Sequence, residues 1–299
     1  IVGQVKPTIF SLIDQTSGYY SLPLGEDCAF KTAFTVNNQH YHWLRLPMGL
    51  NTSPAGYNFA VARLLKDTLK DHGLVYLDDL ILMSPSFEHH ISLLERVFAK
   101  FRESGLRMNP AKCTFAVDNV KFLGFTISSK GMYVDDSRVE VIRSFPRPEN
   151  PKQVKSFMGL ATYFKRFIKG FATISYPLRQ LLSKGVPWGW GSQQEQAFQE
   201  LKNALCSKPV LQFPDPDKRF FLSTDASKHG FGACLMQKDE NDQLRPVAYA
   251  GRATRNFEKV YSASELELAC LCYSVLHFYQ FLAAKEFTVH SDHLSLRYL

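Results

Sequence analysis

Two adjacent carboxylates, Asp78 and Asp79, stand between the apolar runs Leu74-Val75 and Leu80-Ile81-Leu82-Met83. Apolar residues on both sides predict a buried or half-buried strand hairpin with the aspartates at its turn. Side by side in that setting, two negative charges are costly unless something positive neutralises them. A hard divalent cation, which prefers carboxylate oxygens, is the usual partner. For a lone Asp-Asp pair the ordinary alternative is a solvent-exposed hairpin tip. A third aspartate weakens that alternative: Asp14 follows the strand-like segment Thr8-Ile9-Phe10-Ser11-Leu12-Ile13. Two strand-borne acidic sites can converge on one metal pair.

The chain has 299 residues, 45% of them apolar, enough for a real core and two or three domains. Its formal charge of +7 suits a polyanionic partner. The excess is concentrated. From Asn150 to Gln194 the charged residues are Lys152, Lys155, Lys165, Arg166, Lys169, Arg179 and Lys184, with no acid among them. Mixed with Phe157, Tyr163, Phe164, Phe167 and Phe171, they point to a phosphate backbone, with a solvated helix face as the alternative. The six cysteines show no metal-binding spacing and read as reduced, buried thiols of an intracellular protein. No apolar run is long enough to span a membrane and no signal peptide precedes the first strand. Without an initiator Met, the chain reads as an excised piece of a longer polypeptide.

Short strands and helices alternate up to about Arg147. A helix opens at Ser53-Pro54, with a capping residue and a proline at its first position, and closes at His72-Gly73. A second follows Ser86, with Ile91, Leu94, Val97, Phe98 and Phe101 at helical spacing. His89 and His90 near its start lack a third ligand and read as ordinary first-turn residues. After the prolines at 146, 148 and 151, a helix is expected from Gln153 to about Gly170, with Val154, Phe157, Met158, Ala161, Phe164 and Ile168 inward. Another runs from Gln194 to Leu205. The last unit reads as strands Phe220–Thr224, Phe231–Gln237 and Arg245–Ala250, a helix from Ser262 to Leu282, and a strand Phe287–Ser291. That order fits a ribonuclease-H-like α/β fold.

Several motifs in order make the chain resemble the reverse transcriptases of gypsy-like LTR retrotransposons and, more distantly, of retroviruses. They are Phe10-Ser11-Leu12-Ile13-Asp14 with Ser17-Gly18-Tyr19, Lys31-Thr32-Ala33-Phe34, Leu46-Pro47-Met48-Gly49-Leu50, Tyr76-Leu77-Asp78-Asp79 and Lys121-Phe122-Leu123-Gly124-Phe125. Ser223-Thr224-Asp225-Ala226-Ser227 and Ser291-Asp292-His293 extend the likeness to the linked nuclease. The resemblance implies an α/β (α+β) architecture: a right-hand polymerase palm with partial fingers over 1–147, a helical thumb over 148–190, and connection plus a C-terminally incomplete ribonuclease-H-like domain over 191–299.

By the same resemblance Asp14 and Asp78 bridge two Mg²⁺ ions, with Mn²⁺ an alternative, while Asp79 serves alignment more than direct ligation. Tyr19 takes the place of an aromatic wall under the incoming sugar, unless it is a core tyrosine. Met48 sits on the loop along the nascent base pair, where retroviral enzymes carry glutamine. Lys112 matches a proton donor to the leaving pyrophosphate, with a plain surface lysine as the alternative. Phe122, Leu123 and Gly124 match the primer grip, and Lys155, Lys165, Arg166 and Lys169 the template-primer contacts of the thumb. In the nuclease, Asp225, Glu267 and Asp292 are the implied metal-binding acids. Glu265 and Glu267 point about 200° apart on a helix, and Glu267 is chosen because it precedes Leu268-Ala269. The family's fourth acid and its fingertip cations would lie beyond the two ends of the chain.

The implied activity is RNA-directed DNA polymerisation linked to cleavage of the RNA strand of RNA–DNA hybrids. Its partners would be an RNA template, a DNA primer and deoxynucleoside triphosphates, with no membrane. The parent polyprotein would carry a protease and an integrase, within an intracellular, cytoplasmic retroelement particle. The alternative is a catalytically inactive nucleic-acid-binding remnant. A DNA-templated repair polymerase is disfavoured by the ribonuclease-H-like tail.

Overall fold

The computed structural model describes residues 6–207, 209–283, 285–293 and 296. The chain forms two compact units: Ile1–Phe122 with Ile127–Ser129, and Leu123–Thr126 with Lys130–Leu299.

In the first unit the apolar runs of the sequence become a four-stranded antiparallel sheet. Its order is Gly73–Tyr76, Asp79–Ser84, Ile9–Asp14, Thr114–Val117. Leu80, Ile81, Leu82 and Met83 are all buried, which explains why the second strand is apolar without alternation. Helix Ser53–Leu69 lays Tyr57, Val61, Leu65 and Leu69, spaced one turn apart, into a core shared with Leu93, Leu94, Val97 and Phe101. The last four come from helix Phe87–Ser104, whose N-cap Ser86 accepts a hydrogen bond from the His89 amide.

Three local expectations change. Ser53 is the first helical residue, and its hydroxyl donates to the Pro47 carbonyl at 2.7 Å instead of capping the helix. Ile91 faces outward, and the adjacent His90 takes the inward position, where two serines satisfy its ring. Its Nε2 lies 2.6 Å from Ser11 Oγ and its Nδ1 2.9 Å from Ser84 Oγ. His90 is therefore a structural core histidine.

In the second unit, helix Pro151–Tyr163 buries Val154, Phe157, Met158 and Ala161. The expected helix to Gly170 stops early. Tyr163, Phe164 and Phe167 are weak helix formers, and the chain tightens into a 3₁₀ turn over Lys165–Phe167 before Gly170 adopts φ 67°. Phe164 and Ile168 are buried nonetheless. Helix Ser192–Cys206 closes this core with Phe198, Leu201 and Leu205.

The second four-stranded sheet has the order Leu244–Ala253, Gly230–Lys238, Phe220–Ala226, Phe287–His290. The first three strands are antiparallel neighbours, and the fourth pairs parallel with Phe220–Ala226. A parallel return needs a crossover, and helix Ala263–His277 supplies it, packed against the Phe220–Ala226 strand. The longer helix expected to Leu282 breaks at Phe278, whose φ of −96° and ψ of 16° separate off a short turn over Tyr279–Leu282. All six cysteines are free, but only Cys234 and Cys270 are buried; Cys113 and Cys206 are half-buried and Cys28 and Cys272 exposed, so the expectation of buried thiols holds for two of the six. Among the described residues, no helix is long and apolar enough to cross a membrane.

Phe198 is 1% exposed and packs edge-on to Phe157, with ring centroids 4.6 Å apart. Phe198→Ala should destabilise the second unit by about 3–5 kcal/mol, the cost of deleting a buried ring. Leu276→Ala, at a residue 73% exposed, should change it by under about 0.5 kcal/mol. Urea unfolding followed by tryptophan fluorescence checks both.

Candidate active sites

Antiparallel pairing puts Asp14 directly opposite Asp79, at the ends of two central strands of the first sheet. Like charges in that position repel. Asp78 lies in the adjoining two-residue turn, and its carbonyl accepts the Gln15 amide at 2.8 Å. Three carboxylates therefore meet at one sheet end. Burial raises the pKa of Asp78 first, and the charges of Asp14 and Asp79 raise it further. Asp79 is raised by burial and then by Asp14. Lys112 opposes both shifts; its Nζ lies 3.9 Å from Asp14 Oδ2.

The turn that presents Asp78 is itself strained. Leu77 has φ 52°, a left-handed conformation costly for a residue with a Cβ. Asn58, on helix Ser53–Leu69, accepts the Leu77 amide at 3.1 Å and holds it there. Gly18 approaches so closely that a Cβ would collide with both Tyr57 Oη and Asp78 Oδ1. Tyr57 is fully buried, donates to Gln15 Oε1 at 2.6 Å, and carries Tyr19 stacked on its ring at 4.9 Å. Burial, and then Asp78, push both phenols above their ordinary range.

Of the other sequence-predicted residues, Met48 is 55% exposed. Phe122 is buried in the first unit, whereas Leu123 and Gly124 belong to the second. Lys155, Lys165, Arg166 and Lys169 are all exposed. Sequence reasoning missed Tyr57 and Asn58. Their partners lie 42 and 19 residues away, and only the sheet-and-helix packing brings them there.

The second cluster lies in the second unit. Asp225 ends the Phe220–Ala226 strand, Asp292 follows the parallel strand Phe287–His290, and Glu267 comes from the crossover helix. Glu265 is instead the exposed reciprocal partner of Ser262 in a capping box. Glu267 is 7% exposed and accepts the Ala226 amide at 3.0 Å through Oε1. Burial raises its pKa, and the charges of Asp292 and Asp225 add to this. With Asp292, Ser227, Lys228, Tyr261 and His293 it lines one cleft.

Buried polar atoms are normally paired, yet Asp78 Oδ1 and Glu267 Oε2 are buried acceptors without a donor. Each sits in a set of hard carboxylate oxygens, the chemistry that Mg²⁺ or Mn²⁺ prefers. In kind, both sets fit divalent cations. Among the described residues, however, no group of three or more acidic, histidine or cysteine side chains is close enough as placed to hold a metal ion.

Comparison with known proteins agrees with both halves. Residues 3–127 match the reverse transcriptase (RNA-dependent DNA polymerase) family and residues 190–289 the RNase H-like domain found in reverse transcriptase. The chain is 37% identical over 290 residues to the retrovirus-related Pol polyprotein from transposon 412 of Drosophila melanogaster, covering 97% of this chain and 23% of that protein. It is 31% identical over 291 residues to the Tf2-3 transposon polyprotein of Schizosaccharomyces pombe, covering 97% of this chain and 22% of that one. A foamy viral protease–reverse transcriptase solved with RNA/DNA hybrid superposes with a TM-score of 0.84 at 26% identity, covering 99% of this chain and 40% of that one. A foamy viral protease–reverse transcriptase solved with double-stranded DNA gives 0.83 at 25% identity, covering 99% of this chain and 62% of that one. The chain belongs to the reverse transcriptases of retroelement Pol polyproteins, with a polymerase domain followed by an RNase H-like domain. It spans about a quarter of the length of these curated relatives.

Because their folded-state pKa values are raised, Asp78 and Asp79 bind protons more tightly in the folded chain than in the unfolded one. Burial of their charge, with repulsion from Asp14 added, therefore lowers stability as pH rises through the carboxylate range, and low pH relieves it. Asp78→Asn should raise the thermal midpoint at pH 7 by a few degrees. The gain should shrink as pH falls toward about 4, where carboxylates protonate in both states. Thermal melts of both proteins across that range check the sign.

Proposed function

We propose that this chain polymerises DNA on an RNA template and that its second unit cleaves the RNA strand of the resulting hybrid. The observation that carries the reading is the meeting of Asp14, Asp78 and Asp79 at one sheet end, with a buried oxygen of Asp78 left without a donor. Reverse transcriptases and ribonucleases H generally use divalent metal ions. Asp14 and Asp78 would hold two of them, with Asp79 aligning the pair. When bound, such ions lower the pKa of a primer 3′-hydroxyl and neutralise charge on the triphosphate.

The side chains do the rest. Tyr19, held on Tyr57, forms the wall beneath the incoming sugar and excludes a 2′-hydroxyl. Lys112, whose Nζ lies 3.9 Å from Asp14 Oδ2, gives a proton to the departing pyrophosphate. Met48 borders the nascent base pair. Phe122, Leu123 and Gly124 support the primer, and Lys155, Lys165, Arg166 and Lys169 hold the duplex backbone. In the nuclease, Asp225, Glu267 and Asp292 would bind the metals that activate water against the RNA strand. The functional division is palm with partial fingers to 147, thumb over 148–190, and connection with the ribonuclease-H-like domain from 191. The wider polyprotein would add a protease and an integrase, and the working location would be a cytoplasmic retroelement particle.

The test is single-nucleotide extension of a DNA primer on RNA with Mg²⁺. Asp78→Asn should slow it by about a hundredfold or more, the scale for losing a group that stabilises developing charge. Extension at the parental rate by that variant would overturn the site. No extension by either protein, with hybrid binding intact, would favour the inactive binding remnant. Hybrid binding should also weaken steeply with salt. Lys165→Ala with Lys169→Ala should lower the slope of log affinity against log salt by roughly 1 for each phosphate no longer neutralised. An unchanged slope would remove these lysines from the duplex path.

A further inference from the structure

Between strands Asn119–Phe122 and Phe125–Ser128, both turn residues have positive φ: Leu123 at 51° and Gly124 at 76°. Two positive φ angles define the type I′ turn, for which Asn-Gly or Asp-Gly is the usual sequence. Elsewhere this chain follows that rule: the hairpin joining Phe34–Val36 to Gln39–Tyr41 turns through Asn37 and Asn38, at φ 49° and 59°. At position 123 it carries leucine, which resists the left-handed conformation. Something outside the turn must hold it.

Both carbonyls of the turn are held. Tyr163 Oη donates to Leu123 O at 2.7 Å, and the Asp135 amide donates to Gly124 O at 3.1 Å. The next residue, Phe125, is fixed by rings. It stacks on Tyr163 at 5.5 Å with planes 10° apart, meets Phe164 edge-on at 5.5 Å, and lies 5.6 Å from Phe167. Beneath Gly124, Arg138 and Phe164 come within ordinary contact of where a Cβ would stand. All these residues belong to the second unit, which claims Leu123–Thr126 while the preceding strand through Phe122 belongs to the first. Tyr163 is 54% exposed. Water would satisfy its hydroxyl, so the bond to Leu123 serves the turn more than the tyrosine.

We propose that Tyr163 is a positioning residue for the primer: its hydroxyl holds Leu123 in the left-handed turn and so sets where the primer terminus rests. The turn is thereby carried by the helix Pro151–Tyr163, and the primer support follows that helix. The proposal rests on the polymerase reading above, which gives the turn its primer contact.

The test places 2-aminopurine at the 3′ end of a DNA primer annealed to RNA, and reads its fluorescence in the complex without nucleotide. Tyr163→Phe keeps the ring stack and removes only the hydroxyl. It should release the terminal base, with brighter fluorescence, and slow extension by about fivefold, the scale of one neutral hydrogen bond. Hybrid affinity and the thermal midpoint should stay at parental values. Parental fluorescence in Tyr163→Phe would overturn the proposal. The fluorescence needs no chemistry, so failure of the polymerase reading shows separately, as equal extension by the parent and Asp78→Asn.

Discussion

Repulsion among Asp14, Asp78 and Asp79 is the constraint around which the first unit is built. Two of the three face each other across paired strands, and the third sits in the turn between them and the sheet edge. A mobile chain would let these charges drift apart. Here the strands that carry them are buried, with Ile13 and Leu80 to Met83 in the core. The turn is held in a costly conformation by Asn58. Gly18 and Tyr57 leave Asp78 no room to retreat. Packing energy far from the carboxylates thus maintains an arrangement that the carboxylates alone would abandon.

The second unit shows the same logic through a contrast between two buried glutamates. Glu258, 4% exposed, receives a bidentate pair of 2.7 Å bonds from Arg252, and those bonds hold its pKa below the ordinary range. It is a structural carboxylate with its cation built in. Glu267 is buried almost as deeply, has one backbone donor, and is raised by burial and by two neighbouring acids. A buried carboxylate whose pKa is raised in this way, in a cleft it shares with Asp292, is a candidate for a functional role.

Much of this was legible in the sequence because it depends on local pattern. The continuous apolar run after Asp79 has room only in a central strand, and a two-residue turn before it leaves Asp78 at the tip. Ser86 announces a helix, and Ser262 with Glu265 announces another. What failed depended on neighbours distant in the chain. Ile91 and His90 compete for one inward position, and the histidine wins because Ser11 and Ser84 supply partners for its ring. The helix after Pro151 continues its apolar stripe past Tyr163, so periodicity alone could not see where the backbone tightens. Tyr57 and Asn58 resemble any other helix residues until the sheet brings Gln15 and Leu77 against them. The left-handed leucines at 77 and 123 run against local preference altogether. Each is held by a hydrogen bond to a helix residue, Asn58 in one case and Tyr163 in the other.

If Asp14, Asp78 and Asp79 hold metal as proposed, the bound ions can be counted. Mn²⁺ would be titrated by electron paramagnetic resonance into a chain carrying Asp225→Asn and Glu267→Gln, so that only the palm site remains. Template-primer and a non-hydrolysable deoxynucleotide would be present. Two bound, spin-coupled ions are expected, and they should disappear when Asp78→Asn is added. The same number of bound ions with and without Asp78 would contradict the proposal.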